Sequence, residues 1–183
     1  MNITRRSLAA LALAGALTPL AVPAAHAASR GELVANGVAA LQRLEATDPR
    51  ANYFARRARA VLVFPSVLKA GFIVGGEGGD GVLLVGGRPQ GFYNLSGGSW
   101  GLQIGGQNFS YALFFMTASS LNYLEESGGF SAGTGPSIVV INQGAGAAAD
   151  TTTLTHDVYA FPFNQKGLMA DLTLQGTKIS RIH

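Results

Sequence analysis

The chain has 183 residues, enough for one domain with a real core after any export segment is removed. It contains no cysteine, which excludes disulfides, thiolate nucleophiles and cysteine-based metal sites. The formal net charge of +3 includes Arg5 and Arg6 near the N-terminus; without them the 13 basic residues fall to 11 against 10 acidic ones, so overall charge gives no argument for nucleic acid as a partner.

Arg5-Arg6 precede the apolar run Leu8 to Leu17, which Pro19 breaks, and Ala25-His26-Ala27 follows. Basic start, short apolar run and small-residue cleavage site predict a secretory signal peptide over residues 1–27. Thr4-Arg5-Arg6-Ser7-Leu8 also resembles a twin-arginine signal, and both export routes stay open. The apolar run is too short for a transmembrane helix. The expectation is an exported protein of the periplasm or cell envelope, peripheral to a membrane, with one mature domain over 28–183.

The mature part opens with a helical zone, Ser29 to Ala60. Ser29 and Glu32 have capping-box spacing, and Val34, Val38, Leu41 and Leu44 form an apolar stripe. Asp48-Pro49 predicts a break and a second helix, with Ala51, Phe54, Ala55 and Ala58 on one side and Arg50 and Arg57 sharing a face. Short strands are predicted next: Val61 to Phe64, ended by Pro65, then Phe72 to Val74 and Val82 to Val85 around a glycine-rich hairpin turn. Further strands are expected at Trp100 to Ile104, Tyr111 to Met116, Ile138 to Ile141, Val158 to Phe161 and Leu168 to Leu174. Thr117 to Ser127 reads as a helix with Leu121 and Leu124 inward, and Gln143 to Thr155 as a loop or hairpin tip. Strands bunched after helices argue for α+β.

Two glycine motifs have catalytic look-alikes. Gly76 to Gly81 matches G-x-G-x-x-G, but a strand follows where a phosphate cradle needs a helix, and Glu77 and Asp80 would repel a phosphate. Gly97-Gly98-Ser99-Trp100-Gly101 matches the nucleophile elbow, with Asp150, Asp157 or Asp171 and then His183 in the required order. The segment after Ser99 alternates like a strand, which speaks against a serine hydrolase while leaving it as an alternative. His156-Asp157 reads as a turn or surface pair. With only His156 and His183 left after cleavage, no multi-histidine metal site is expected, and no cofactor.

The strongest functional constellation is Arg50, Arg56, Arg57, Arg59 and Lys69, with Tyr53 and Phe54 inside it and no acidic residue from Arg50 to Lys69. Cations interleaved with aromatics suit an anionic lipid surface, where charges meet phosphates and rings sit at headgroup depth. The alternative is a solvated helix face whose arginine stems cover apolar core.

The stretch Ala60 to Gly76 resembles the opening of the SYLF (Ysc84) family: an apolar run into Phe64-Pro65, then Lys69-Ala70-Gly71-Phe72 and the pair Gly75-Gly76. Gly81 to Val85, Ser99 to Gln107 (SWGLQIGGQ), Phe114-Phe115-Met116-Thr117 and Tyr159 to Gly176, with Lys166-Gly167-Leu168 inside, resemble later segments of that family in the same order. The family is known for phospholipid binding; its eukaryotic members bind phosphoinositides, and some bind actin. The resemblance implies a non-catalytic lipid-binding domain, recasts Ser99 and the glycine loop as fold signatures, and shifts weight to the basic cluster.

The fold expected is therefore α+β: N-terminal helices packed on a strongly bent, mainly antiparallel sheet closing toward a barrel. The function expected is binding of an anionic phospholipid or membrane surface. A structural or protein-interaction module of the envelope, with an unknown protein partner, is the alternative.

Overall fold

The computed structural model describes residues 29–71, 74–100, 105–141, 155–166, 174 and 176–183. The expected signal peptide, the expected strand Trp100 to Ile104 beyond Trp100 itself, and most of the expected loop 143–155 and strand 168–174 lie outside the described residues.

Helix α1 spans Arg30–Thr47 and α2 spans Pro49–Ala55. The capping box forms: the Glu32 backbone N–H donates to Ser29 Oγ (3.3 Å) and the Ser29 N–H donates to Glu32 Oε2 (2.8 Å). Asp48 then ends α1 and caps α2, its carboxylate accepting from the Arg50 N–H at 2.9 Å with Pro49 at the first helical position. α2 ends at Ala55, sooner than the sequence suggests, so Arg57 lies past the helix and does not share a helical face with Arg50.

The rest is one sheet of β1 (Ala60–Gly71), β2 (Val74–Val85), β3 (Arg88–Trp100), β4 (Gly105–Phe115), β5 (Gly129–Ser131), β6 (Ile138–Val140), β7 (Val158–Lys166) and β8 (Thr177–Ile182), with α3 (Ala118–Glu126) between β4 and β5. The strand order is β5-β8-β3-β2-β1-β4-β7-β6. Every pairing is antiparallel except β6 with β7, and the sheet is strongly curled into a half-barrel. The α+β expectation holds.

Period-2 alternation sends β1 to both faces. Val61 and Val63 join Val82, Leu84, Phe114 and Phe161 beneath α1 and α2. Leu62 and Phe64 join Leu83, Leu95, Leu113 and Ile179 on the other face, where Leu124 of α3 packs. Pro65 does not end β1. Phe64 pairs with Tyr111 and Val67 with Phe109, so β1 carries one extra residue and bulges. The bulge leaves Phe64 and Val67 on the same face, and the Pro65 carbonyl accepts from Ser110 Oγ at 2.7 Å.

The glycine-rich stretch is a strand, not the expected hairpin turn. Gly75 to Gly81 pair residue by residue with Ser99 to Tyr93 of β3. The glycines serve close approach. A Cβ on Gly81 would stand 2.5 Å from Phe64 Cδ1, and one on Gly79 would collide with the Ser66 carbonyl oxygen in the bulge. The Gly37 position has the same cause: a Cβ there would stand 2.5 Å from Val82 Cγ1, so glycine lets α1 lie close on β2.

Candidate basic surface at the helix–sheet junction

α2 hands over to β1 through a short turn. The Arg57 and Ala58 N–H groups donate to the Phe54 carbonyl (3.0 and 2.9 Å), and the Arg59 N–H donates to the Phe115 carbonyl (2.7 Å), starting the sheet. Arg56, Arg57 and Arg59 thus stand together at one end of the sheet, and all are exposed. None has an ion-pair partner among the described residues, whose one ion pair is Arg50–Asp48.

Tyr53 and Phe54 part company. Tyr53 is half-buried, and the Arg57 guanidinium lies over its ring at 3.7 Å from the centroid while Nη1 donates to the Tyr53 carbonyl (3.3 Å). Arginine and ring form one cationic, amphipathic surface element. Phe54 is 1% exposed, with its ring 4.4 Å from that of Tyr159 and 5.5 Å from that of Phe161. It anchors α2 to the sheet and is not placed to enter a membrane.

Arg50 and Lys69 also separate from the group. Arg50 Nε and Nη2 donate to Asp48 Oδ1 (3.1 Å) and Oδ2 (2.8 Å), a bidentate pair at the α1–α2 elbow. The Arg50 guanidinium holds the Asp48 carboxyl below its ordinary pKa. Lys69 is 9% exposed and lies ten residues along β1 from Arg59, a strand distance of roughly 30 Å. It shares the Val67 face of the sheet, opposite α1 and α2. The sequence places Lys69 with the arginines because it does not show that β1 runs unbroken through Pro65.

Sequence reasoning passed over the cleft at the α1–α2 elbow, about 820 Å³, where Arg43 and Arg50 face Asn164 and Gln165 of β7. Its one sequence signal is the Asp48-Pro49 break, which forces the elbow.

Ser99 lies in β3, and the next described element is again a strand, β4, not a helix. Ile182 pairs with Phe92 and Thr177 with Gly97, so His183 extends toward Gly91, away from Ser99. The separation is eight residues of strand, roughly 26 Å, too far for a nucleophile and its base. Asp157 accepts from Ser137 Oγ (2.8 Å), the Ser137 N–H (3.1 Å) and Thr117 Oγ1 (3.2 Å), tying β7 to α3 and to the start of β6. No group of three or more potential metal ligands occurs among the described residues. No helix among them is long and apolar enough to cross a membrane.

No curated protein matches the chain. Residues 96–182, from the end of β3 through β8, match a family model described as Ysc84, Las17-binding protein actin regulator. The Arg56–Arg59 turn lies before the matched range. Ysc84 domains are binding domains. Over residues 96–182, then, the chain is similar to the Ysc84 (SYLF) domain.

Proposed function

We propose that this is an exported, non-catalytic protein that binds anionic phospholipid at a membrane surface of the cell envelope, through Arg56, Arg57 and Arg59 with Tyr53. The observation that carries the reading is the exposed arginine group, with no ion pair among the described residues, backed by the Arg57–Tyr53 stack. Charges held at the end of a rigid sheet can meet several phosphates at once, while the Tyr53 ring sits at headgroup depth. Each such cation contributes about 1 kcal/mol near an anionic surface, so the group supplies about 3 kcal/mol, on the order of 100-fold in affinity. The basic N-terminal pattern around Arg5 and Arg6 supports export.

The test is co-sedimentation of the protein, starting at Ala28, with phosphatidylglycerol and with phosphatidylcholine vesicles across a salt series. Binding to the anionic vesicles alone, weakened by salt and by the triple change Arg56→Ala/Arg57→Ala/Arg59→Ala, is the expected result. No binding to either vesicle at low salt sinks the reading. A protein partner, which the family description favours, then becomes the working alternative.

A further inference from the structure

We infer that the cleft at the α1–α2 elbow is a phosphate-binding site, distinct from the Arg56–Arg59 surface, that takes the phosphate ester of a lipid headgroup or of a small soluble phosphate. The cleft is open to solvent and offers about 820 Å³ between the end of α1, the start of α2 and β7. That is within the size range of small-molecule sites, with room for a glycerophosphate beyond the phosphate itself.

The charge balance favours an anion. Arg43 and Arg50 line the cleft and Asp48 is the acidic residue there. The Asp48 carboxylate is turned onto Arg50: Oδ1 accepts from the Arg50 N–H and Nε, and Oδ2 from Nη2. A guanidinium has five N–H donors, so Arg50 keeps donors for a ligand while Asp48 fixes its plane. Arg43 is exposed with no ion pair among the described residues. The negative end of α1 is partly capped, since the Asp48 N–H donates to the Leu44 carbonyl (2.8 Å) and Thr47 Oγ1 to the Arg43 carbonyl (2.8 Å).

The facing wall is built by a second irregularity. Between Ser110↔Phe163 and Asn108↔Lys166 the register of β7 shifts, so Asn164 and Gln165 stand out of the ladder and line the cleft. Asn164 is at φ 58°, the one non-glycine residue with positive φ among the described residues. Bulges re-aim side chains in this way beside binding sites. Here the re-aimed side chains are amides, whose NH₂ groups donate to phosphate oxygens opposite the two guanidiniums.

The experiment is a titration of the isotope-labelled protein, followed by ¹⁵N NMR at the arginine Nε and side-chain amide signals. The probes are inorganic phosphate, glycerol 3-phosphate and dihexanoyl phosphatidic acid below its micelle concentration. Saturable shifts of Arg43, Asn164 and Gln165 signals are expected, with affinity falling at least tenfold in Arg43→Gln and in Asn164→Gly. Shifts with phosphatidic acid alone identify a lipid headgroup site, and equal shifts with inorganic phosphate a site for soluble phosphates. No shift at millimolar concentrations of any probe, or unchanged affinity in a folded Arg43→Gln, overturns the inference. The vesicle assay reads a different surface: if vesicles fail to bind while these shifts appear, the docking reading falls and the cleft stands.

Discussion

Gly37 of α1 and Val82 of β2 meet so closely that a Cβ on Gly37 would stand 2.5 Å from Val82 Cγ1. Helix propensity alone says that Gly37→Ala should stabilise α1 by about 1 kcal/mol. The contact opposes this, because Val82 is fully buried and its branched side chain has little room to rotate. Overpacking of this kind costs about 1–3 kcal/mol, so Gly37→Ala is expected to lower stability in urea unfolding. Gly31→Ala is the control: nothing lies within 4 Å of its Cβ position, and it should be neutral or stabilising. A Gly37→Ala protein as stable as Gly31→Ala would mean that α1 does not seat on β2 at this distance.

The same reasoning separates the glycines of β2. Gly79→Ala drives a methyl into the Ser66 carbonyl and to 3.1 Å from Val67 Cα, both in the backbone of the bulge, where neither can swing away. A loss of about 2 kcal/mol or more is expected. Gly76→Ala meets its nearest atom, the Gly97 carbonyl oxygen, at 3.7 Å, an ordinary contact, and should be close to neutral. Were this stretch a hairpin turn, the two substitutions would not divide in this way. Thermal melts of the pair decide it.

What the sequence made legible was whatever is local in the chain. Ser29 with Glu32, Asp48 with Pro49, and Leu124 facing inward each need only near neighbours, and each is found. What it hid depends on distant partners. Gly75 to Gly81 read as a turn because glycine favours turns, whereas Gly79 and Gly81 answer to Ser66 and Phe64 on another strand. Adjacent Tyr53 and Phe54 look alike in sequence; only the packing of α2 on Tyr159 and Phe161 sends one to the surface and the other to the core. Lys69 seemed part of the basic cluster because strand length through Pro65 was not readable.

The arginines should divide into those that hold the fold and those that do not. Arg50→Ala strips Asp48, which is 7% exposed, of its bidentate partner at the elbow, and a loss of about 1–3 kcal/mol is expected. Arg56→Ala and Arg59→Ala remove exposed groups with no ion pair among the described residues, Arg56 acting on Glu45 only through space, and should change stability by less than about 0.5 kcal/mol. Denaturant unfolding of the single variants checks this, and a large loss in Arg56→Ala or Arg59→Ala would recast those residues as structural.

Acid should loosen the junction around Asp157. The Ser137 hydroxyl foremost, then the Ser137 N–H and the Thr117 hydroxyl, holds its carboxyl below the ordinary pKa. A carboxyl whose folded pKa is depressed contributes stability that is complete above its unfolded pKa, about 3.9, and is lost as pH falls through the folded value. Asp48, held down by Arg50, adds to the same trend. Asp157→Asn should therefore be less stable than the parent at about pH 7, with the gap narrowing toward about pH 3. Melting temperatures of the two proteins at both pH values test the sign; a gap that stays constant assigns the pH dependence elsewhere.

Tyr93 buries its hydroxyl beside Gly91. The residue is fully buried, and its oxygen has no hydrogen-bond partner among the described residues. Desolvation accordingly pushes the phenol pKa up. A buried hydroxyl without a partner costs about 1–3 kcal/mol relative to water, while the ring itself packs on the face shared by Leu83 and Leu95. Tyr93→Phe keeps the ring and removes the oxygen, so it should raise stability by about 1 kcal/mol, leaving vesicle binding at Arg56, Arg57 and Arg59 untouched. A loss of stability in Tyr93→Phe would instead show that the hydroxyl is satisfied inside the half-barrel, by ordered water, and that the core there is wetter than its apolar lining implies.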